Sequence, residues 1–225
     1  MSAFFRSVAT NDAAPPMSCP APAGVQPGDY LLAFAGGQSN AGAPTIDVPA
    51  GWTQIEQQVW LNNPSGRWVS LAFFKRVATD AEPASYAFTS ALAAHIRVAI
   101  LAYARVDTSA VSSWATAIVN QTTSPETAAI TTQVDNTLLV AAVIDGGAGT
   151  ITAEASWTQR ASLSSFAVGE RLVGPVADVD ETVWPDNAGL APCIGLTVPL
   201  APSPNVIGRA WAVDKRTRTA TAVDK

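Results

Sequence analysis

The hydrophobic positions of this 225-residue chain follow the period of strands more closely than that of helices. β-Branched and aromatic residues dominate, and no window keeps apolar residues at i, i+3, i+4 and i+7 through three helical turns. The best helical candidate, residues 109–119, fits a loop or an edge strand equally well. Short apolar runs at intervals of about 8 to 12 residues, separated by Gly and Pro, predict an all-β fold: an antiparallel, jelly-roll-like β-sandwich.

Two stretches of the chain resemble each other. Residues 25–37 (VQPGDYLLAFAGG) match residues 133–147 (QVDNTLLVAAVIDGG), and each predicts a turn, a strand covered on both faces and a Gly-Gly turn. Residues 49–55 (PAGWTQI) match residues 154–160 (EASWTQR), where the shared Trp-Thr-Gln is the clearest marker of the repeat. We therefore expect two sequence-related halves of about four strands each, fused into one sandwich. The looser matches are 68–83 with 166–181, and 95–106 with 193–201.

The repeat and the composition together predict how the chain is organised. Residues 1–21 are expected to form an N-terminal arm or first strand, and residues 22–208 the β-sandwich domain. The halves of that domain are predicted at about 22–108 and 125–203, and residues 209–225 are predicted to form an extended C-terminal arm. With 48% hydrophobic and only 14% charged residues, the chain does not have the composition of a disordered polyampholyte.

The C-terminal segment alternates like a strand, and its AVDK sequence at 212–215 recurs at 222–225. Fifteen extended residues reach roughly 50 Å, so this segment is long enough to add a strand to a neighbouring subunit. A frayed terminus is the alternative. The residues expected to make the assembly contacts are Trp211, Val213, Lys215, Arg216, Arg218 and Val223.

Charge is unevenly distributed along the chain. Residues 1–208 hold 8 basic and 16 acidic side chains, a net charge of −8, whereas residues 209–225 hold 5 basic and 2 acidic, a net charge of +3. An acidic body argues against nucleic acid as a partner, because that affinity comes chiefly from cations on phosphates. Complementary charges on body and arm suit self-association.

The longest apolar run, 138–144, is too short to span a membrane, and the first residues lack a secretory-signal pattern.

The two cysteines, Cys19 and Cys193, are too few for a disulfide scaffold or a metal knuckle. One lies near each end of the domain, so a single disulfide between them is geometrically possible. Two buried thiols are the favoured interpretation.

The sequence GGQSNAG at 36–42 is similar to the first block of SGNH-type carbohydrate esterases, which would make Ser39 a nucleophile. That chemistry also needs a histidine base within hydrogen-bond reach of the serine. The only histidine, His95, lacks the Asp three residues before it that this family has, and the equivalent place in the other repeat is the turn DGGAGT. We therefore favour a Gly-rich loop and a partly exposed structural histidine that shares a strand face with Arg97.

Five tryptophans are candidate sugar-stacking residues: Trp52, Trp60, Trp68, Trp157 and Trp184. Trp52 and Trp157 occupy equivalent places in the two repeats, and both follow turns. This position favours side chains that cap the core over exposed ones. Beside the turn sequence at 61–66, Trp60 is predicted to carry an exposed ring, and with Trp68 it is the candidate ligand contact.

The acidic segment DVDETVWPD at 178–186 has a composition that suits calcium, because hard cations bind clustered carboxylate oxygens. It brings together Asp178, Asp180, Glu181 and Asp186 but lacks the EF-hand glycine and terminal glutamate. A solvated loop is the favoured interpretation. No phosphate-binding Gly motif, Cys/His metal set or paired-carboxylate signature is recognised, so no cofactor is expected.

The order of several blocks resembles a family of phage and prophage virion proteins: PAGVQPGDYLLAF, PAGWTQI, FFKRVATDAEP and SYAFT, followed by TTQVDNTLLVAAVIDGG and SWTQR. The likeness covers residues 20–200, and members of this family are uncharacterised minor tail, head-fibre or decoration components. It implies a non-enzymatic virion structural protein, assembled in the host cytoplasm, whose partners are copies of itself and neighbouring virion proteins. A carbohydrate- or receptor-binding adhesion module that recognises a cell-surface glycan is the alternative. Neither nucleic acid nor membrane is an expected partner.

Overall fold

The computed structural model describes residues 3–62, 66–108, 114–122, 124–186 and 191–203, which contain strands and no helix. The strands of the first part of the chain are β1 (Phe4–Ala13), β2 (Met17–Pro20), β3 (Tyr30–Ser39), β4 (Thr53–Asn62), β5 (Arg67–Val77), β6 (Ser85–Phe88) and β7 (His95–Ala104). Those that follow are β8 (Ala115–Thr122), β9 (Glu126–Thr127), β10 (Ile130–Thr131), β11 (Thr137–Asp145), β12 (Thr158–Leu163), β13 (Phe166–Val173), β14 (Asp178–Val179), β15 (Thr182–Val183) and β16 (Ala191–Leu200).

Two five-stranded antiparallel sheets form the sandwich. The first has the order β1-β7-β3-β5-β4 and the second the order β12-β13-β11-β16-β8. Every strand of the first sheet precedes every strand of the second in the chain, and the eight repeat blocks lie in β3, β4, β5, β7, β11, β12, β13 and β16. The predicted all-β sandwich is confirmed. Part of the weak helical candidate, residues 115–119, belongs to the edge strand β8.

Apolar side chains fill three layers, because the central strands are buried on both faces. All nine residues of β11 are buried, as expected from its unbroken apolar sequence. The middle layer lies between the sheets and includes Tyr30, Leu32, Phe34, Phe73, Leu101, Val140, Ile144, Phe166 and Leu196. Each outer layer lies between a sheet and short covering strands: β2 and β6 over the first sheet, and β9, β10, β14 and β15 over the second.

The Trp-Thr-Gln sequences occupy similar positions in both sheets. Trp52 and Trp157 are each 6% exposed, and each lies in an outer layer against another aromatic ring, Tyr86 and Trp184 respectively. Their prediction as core-capping residues is confirmed. After each Trp-Thr-Gln the strand register shifts by one residue, at Ile55 in β4 and at Arg160 in β12. The motif therefore marks a strand start followed by a bulge on an edge strand.

The Gly-Gly turn predicted at 36–37 is wrong, because both glycines lie inside β3. A Cβ atom on Gly36 would lie 2.4 Å from Cδ1 of Ile144, and one on Gly37 would lie 2.8 Å from the Ser70 hydroxyl. These glycines are needed because the second sheet approaches one face of β3 closely and Ser70 approaches the other. The Gly146–Gly147 pair does follow the end of its strand, as predicted.

Side chains close the two seams where the edges of the sheets meet. At the seam of β1 and β12, the Arg160 guanidinium lies 4.0 Å from the centre of the Phe5 ring and pairs with Glu170. Glu170 also accepts a 3.0 Å hydrogen bond from the buried Tyr103 hydroxyl. At the seam of β4 and β8, Trp114 Nε1 donates to Glu56 across 2.9 Å.

The first and last described residues meet at one end of the sandwich. Phe4 at the start of β1 pairs with Ala104 at the end of β7. Just after β7, Val106 forms a bridge with Pro202. The neighbouring Arg105 carbonyl accepts a 2.8 Å hydrogen bond from the Ser203 N–H. The ten residues of β3 run from that end to the other, a length of roughly 30 Å.

Three further predictions concern the two cysteines, a membrane-spanning segment and the C-terminal arm. Cys19 and Cys193 are free and buried, which confirms two buried thiols and not a disulfide. The part of the chain that the structure describes contains no helix able to span a membrane. The predicted C-terminal arm, 209–225, lies outside the described residues, and so do its assembly residues Trp211, Val213, Lys215, Arg216, Arg218 and Val223.

Candidate functional site

An open polar pocket of about 280 Å³ lies between the two sheets, at the end opposite the first and last described residues. It forms where β3, β5 and β7 meet the turn after β11. Two of its nine lining residues are arginines, and none of the nine is acidic. The lining consists of Gln38, Ser39, Asn40, Arg67, Ala94, Arg97, Gly147, Ala148 and Ser164.

Side chains of the first sheet hold the turn of the second. Nε2 of Gln38 donates to the Asp145 carbonyl across 2.6 Å and to the Gly147 carbonyl across 3.3 Å. Nη1 of Arg67 donates to the carbonyl of Gly146. These contacts join residues more than 75 positions apart, so they fix the pocket walls only when both sheets are packed.

Arg97 is the buried cation of the site. It pairs with Asp12 on β1 and with Gly36 on β3, so it faces the second sheet, and its side chain is 9% exposed. The Asp12 carboxylate is its ion-pair partner, with 3.5 Å between Nε and Oδ2, which is too long for a hydrogen bond. Nε and Nη1 are buried without a hydrogen-bond partner. Burial lowers the pKa of Arg97, and the nearby Asp12 and Asp145 carboxyl groups oppose that shift.

Asp145 is fully buried behind the pocket, at the end of β11. Its Oδ1 accepts a hydrogen bond from the Gly147 N–H, which helps to form the turn. Burial first, and then a hydrogen bond with Asp186, raise the pKa of Asp145 to about 8, although the Gly147 N–H and Arg97 act in the opposite direction. At neutral pH the Asp145 carboxyl group is therefore protonated and donates this hydrogen bond to Asp186.

The structure separates Ser39 from His95. His95 pairs with Gln38, whose side chain points to the second sheet, and Ser39 is the next residue on β3, so its side chain has the opposite direction. The Ser39 hydroxyl accepts a 3.0 Å hydrogen bond from the Ala41 N–H. The His95 side chain is 58% exposed, and its Nδ1 lies 3.5 Å from Asp12 Oδ1. These two side chains do not form a nucleophile–base pair.

The candidate ligand contacts Trp60 and Trp68 lie on neighbouring strands but face opposite ways. Trp60 pairs with the core residue Val69, whereas Trp68 pairs with Leu61. The sequence predicted an exposed Trp60 ring; in the structure this ring is half-buried, because it packs against the middle layer. Both rings, together with Val59 and Leu61, border a surface notch of about 310 Å³.

The acidic segment 178–186 divides between two places in the structure. Asp178 is exposed on β14 and accepts a hydrogen bond from Thr131, while Asp186 lies beside Asp145. Within the described ranges, no group of three or more His, Cys, Asp and Glu side chains is arranged to hold a metal ion.

The sequence did not indicate that Arg97, Asp145 and Gln38 lie at one site. The available signals were a charged residue within the apolar strand HIRVAILAY and an aspartate at the end of the apolar strand TLLVAAVID. Neither sequence feature shows that the two strand ends meet.

No protein-family model, curated protein or solved structure significantly matches this chain.

Proposed function

We propose that this chain is a non-enzymatic structural component of a phage virion: a capsid decoration, head-fibre or tail protein. The observation that supports this most directly is where the sequence blocks similar to virion proteins lie in the fold. The apolar strand blocks form β3 and β11, at the centre of the two sheets, and the Trp-Thr-Gln blocks begin the edge strands β4 and β12. The resemblance thus concerns the scaffold of the sandwich and not a reactive site.

The chemistry of the pocket end is consistent with this proposal. The Gln38 amide and the Asp145 carboxyl group both hold the turn at 145–147, which is a structural task. Ser39 has a backbone N–H as its partner and faces away from His95. The polar residues at this end therefore support the packing of two sheets and not nucleophilic catalysis.

Assembly is proposed to use the sandwich surface together with the C-terminal segment 209–225. The segment carries a net charge of +3 and the remaining chain −8, so the segment of one copy is attracted to the body of another. Residue 203, the last described residue before this segment, lies beside the β7–β8 connection at one end of the sandwich.

The test compares the mass in solution of the full chain with that of residues 1–208, measured by light scattering. Every strand that the structure describes is retained in the shorter chain, so circular dichroism and urea unfolding of the two proteins should agree. We expect the full chain to form a defined oligomer that is lost on truncation. Oligomers of the same mass from both proteins would contradict the role of the segment, and monomers from both would contradict self-assembly.

A glycan-binding adhesion module is a second candidate, favoured by the notch that Trp60 and Trp68 border. Apolar faces of sugars stack on exposed aromatic rings, and Trp68 is the better placed of the two because Trp60 packs on the core. We expect Trp68→Ala to abolish binding on a glycan array while the protein remains folded. Leu172→Ala, which shortens a 55% exposed side chain on the second sheet, is the control. A wild-type protein that binds no glycan would remove this candidate.

A further inference from the structure

We propose that the pocket between the two sheets binds the carboxylate group of an acidic sugar, with Arg97 and Arg67 as the cationic contacts. This inference concerns a ligand site and does not rest on the virion role, since a virion protein or a free binding module could use it equally.

The strongest support is the state of Arg97. A guanidinium group has five N–H donors, and buried donors are normally satisfied by acceptors. The Arg97 side chain is about nine-tenths buried, yet Nε and Nη1 make no hydrogen bond, and its carboxylate neighbour stays at 3.5 Å. Arg97 also lines the pocket, so an oxyanion there would add a counter-charge that the Asp12 carboxylate at 3.5 Å supplies only in part.

The charges around the pocket favour an anion at this place. Both cationic side chains line the pocket, whereas the nearby carboxyl groups of Asp12, Asp145 and Asp186 do not. Burial raises the pKa of Asp145 to about 8, so at neutral pH this carboxyl group is protonated and adds no negative charge. His95 lies on the same sheet face and, like Arg97, faces the Asp12 carboxylate at 3.5 Å.

The shape and neutral groups of the pocket favour a sugar acid over a bare ion. Arginine binds carboxylates through two parallel N–H···O bonds. Ser164 and Asn40 border the same space with groups that can pair with sugar hydroxyls. A volume of about 280 Å³ is close to the lower limit of small-molecule sites, roughly 300 Å³, which is room for a single ring.

The experiment titrates the full chain with methyl β-D-glucuronide, and in parallel with methyl β-D-glucoside and inorganic phosphate. Binding is followed by isothermal titration calorimetry and by the NMR shifts of the Gly147 and Ala148 amides. We expect the glucuronide to bind and to shift both amides. The glucoside, which differs only in lacking the carboxylate, should bind at least about tenfold more weakly, because charge-assisted hydrogen bonds are lost.

Two variants and one control locate the site. Arg97→Gln should reduce glucuronide affinity at least about tenfold. Since Arg97 is buried, Ala148→Trp provides a second variant that fills the pocket from an exposed wall position and leaves the core unchanged. Arg171→Gln removes an arginine near the opposite end of the sandwich and should bind like the wild type.

Three outcomes would overturn the proposal. The first is a wild-type protein that binds neither glucuronide nor phosphate. The second is affinity that survives both Arg97→Gln and Ala148→Trp, which would place the ligand elsewhere. The third is phosphate binding as tight as glucuronide binding, with equal dependence on Arg97, which would identify a simple oxyanion site and exclude the sugar acid.

Discussion

At the residue scale, two buried ionisable groups near the pocket are stabilised in different ways. Arg97 keeps its charge and has the Asp12 carboxylate as its nearest partner. Asp145 is instead stabilised in its protonated form, because burial and Asp186 both favour the neutral carboxyl group. The Asp145 carboxyl group holds its proton near neutral pH in the folded protein, whereas Arg97 stays charged throughout. Asp145 should therefore make the free energy of unfolding depend on pH.

We predict that Asp145→Asn stabilises the protein and removes this dependence. The pKa of Asp145 is about 8 in the folded protein and about 3.9 in the unfolded chain, so the folded state holds the extra proton between those values. The free energy of unfolding therefore falls as the pH rises through this window and levels off above it. Asparagine can accept from the Gly147 N–H and donate to Asp186 without titrating, so we expect a gain of about 1 to 3 kcal/mol near pH 8.

Urea unfolding at several pH values between about 5 and 8 measures this effect. The variant should differ little from the wild type at the acidic end and increasingly towards the alkaline end. Asp80→Asn, which changes an exposed carboxylate, should leave the wild-type curve unchanged. Parallel curves for Asp145→Asn and the wild type would show that protonation of Asp145 does not contribute to stability.

Single residues were predictable where a local pattern determined their burial. Trp52 and Trp157 follow turns at strand starts, and both cap an outer layer. The repeat was a poorer guide to which layer a residue enters. Leu31 and Leu138 are the first leucines of the Leu-Leu pair in the two matching blocks. Leu31 lies in an outer layer, whereas Leu138 lies in the middle layer. A shift of one residue reverses the face of every side chain in a strand, and two nearly continuous apolar runs do not show which register is correct.

At the scale of strands, the seam between β1 and β12 depends on a buried ion pair. The Arg160 guanidinium binds Glu170, whose side chain is 8% exposed and also accepts from Tyr103. Burial raises the pKa of Tyr103, and Glu170 raises it further, so this hydroxyl remains a donor. The bulge after Trp-Thr-Gln places Arg160 at this seam. The bulge itself was not predicted, because the Trp-Thr-Gln sequence alone does not specify an extra residue in one of two paired strands.

We predict that Arg160→Ala lowers the free energy of unfolding by about 2 to 3 kcal/mol, because it leaves a buried carboxylate without its cation. The expected loss is below that of a fully buried pair, since the Arg160 side chain is 27% exposed. The double variant Arg160→Met with Glu170→Gln should recover at least half of it. Arg171→Ala on β13, measured in the same urea experiment, should change stability by less than about 0.5 kcal/mol. Equal losses in the single and double variants would rule out the unpaired charge as the cause.

At the scale of the whole molecule, the sequence predicted the sandwich but not its pocket. Alternating and continuous apolar runs determine which strands form and how deeply they are buried, and the eight blocks of the repeat supplied eight strands in two sheets. The pocket depends on contacts such as Gln38 with Asp145, which are 107 positions apart. Such contacts follow from the way two sheets pack face to face, which no local pattern describes.

The meeting of the first and last described residues at one end gives the molecule a direction. An attachment made at residue 3 or at residue 203 holds the sandwich by the end at which Phe4 pairs with Ala104. The pocket then projects away from the point of attachment, at a distance of roughly one strand length, or 30 Å. A tether at that end would therefore turn the mouth of the pocket, and not its back, towards the surrounding medium.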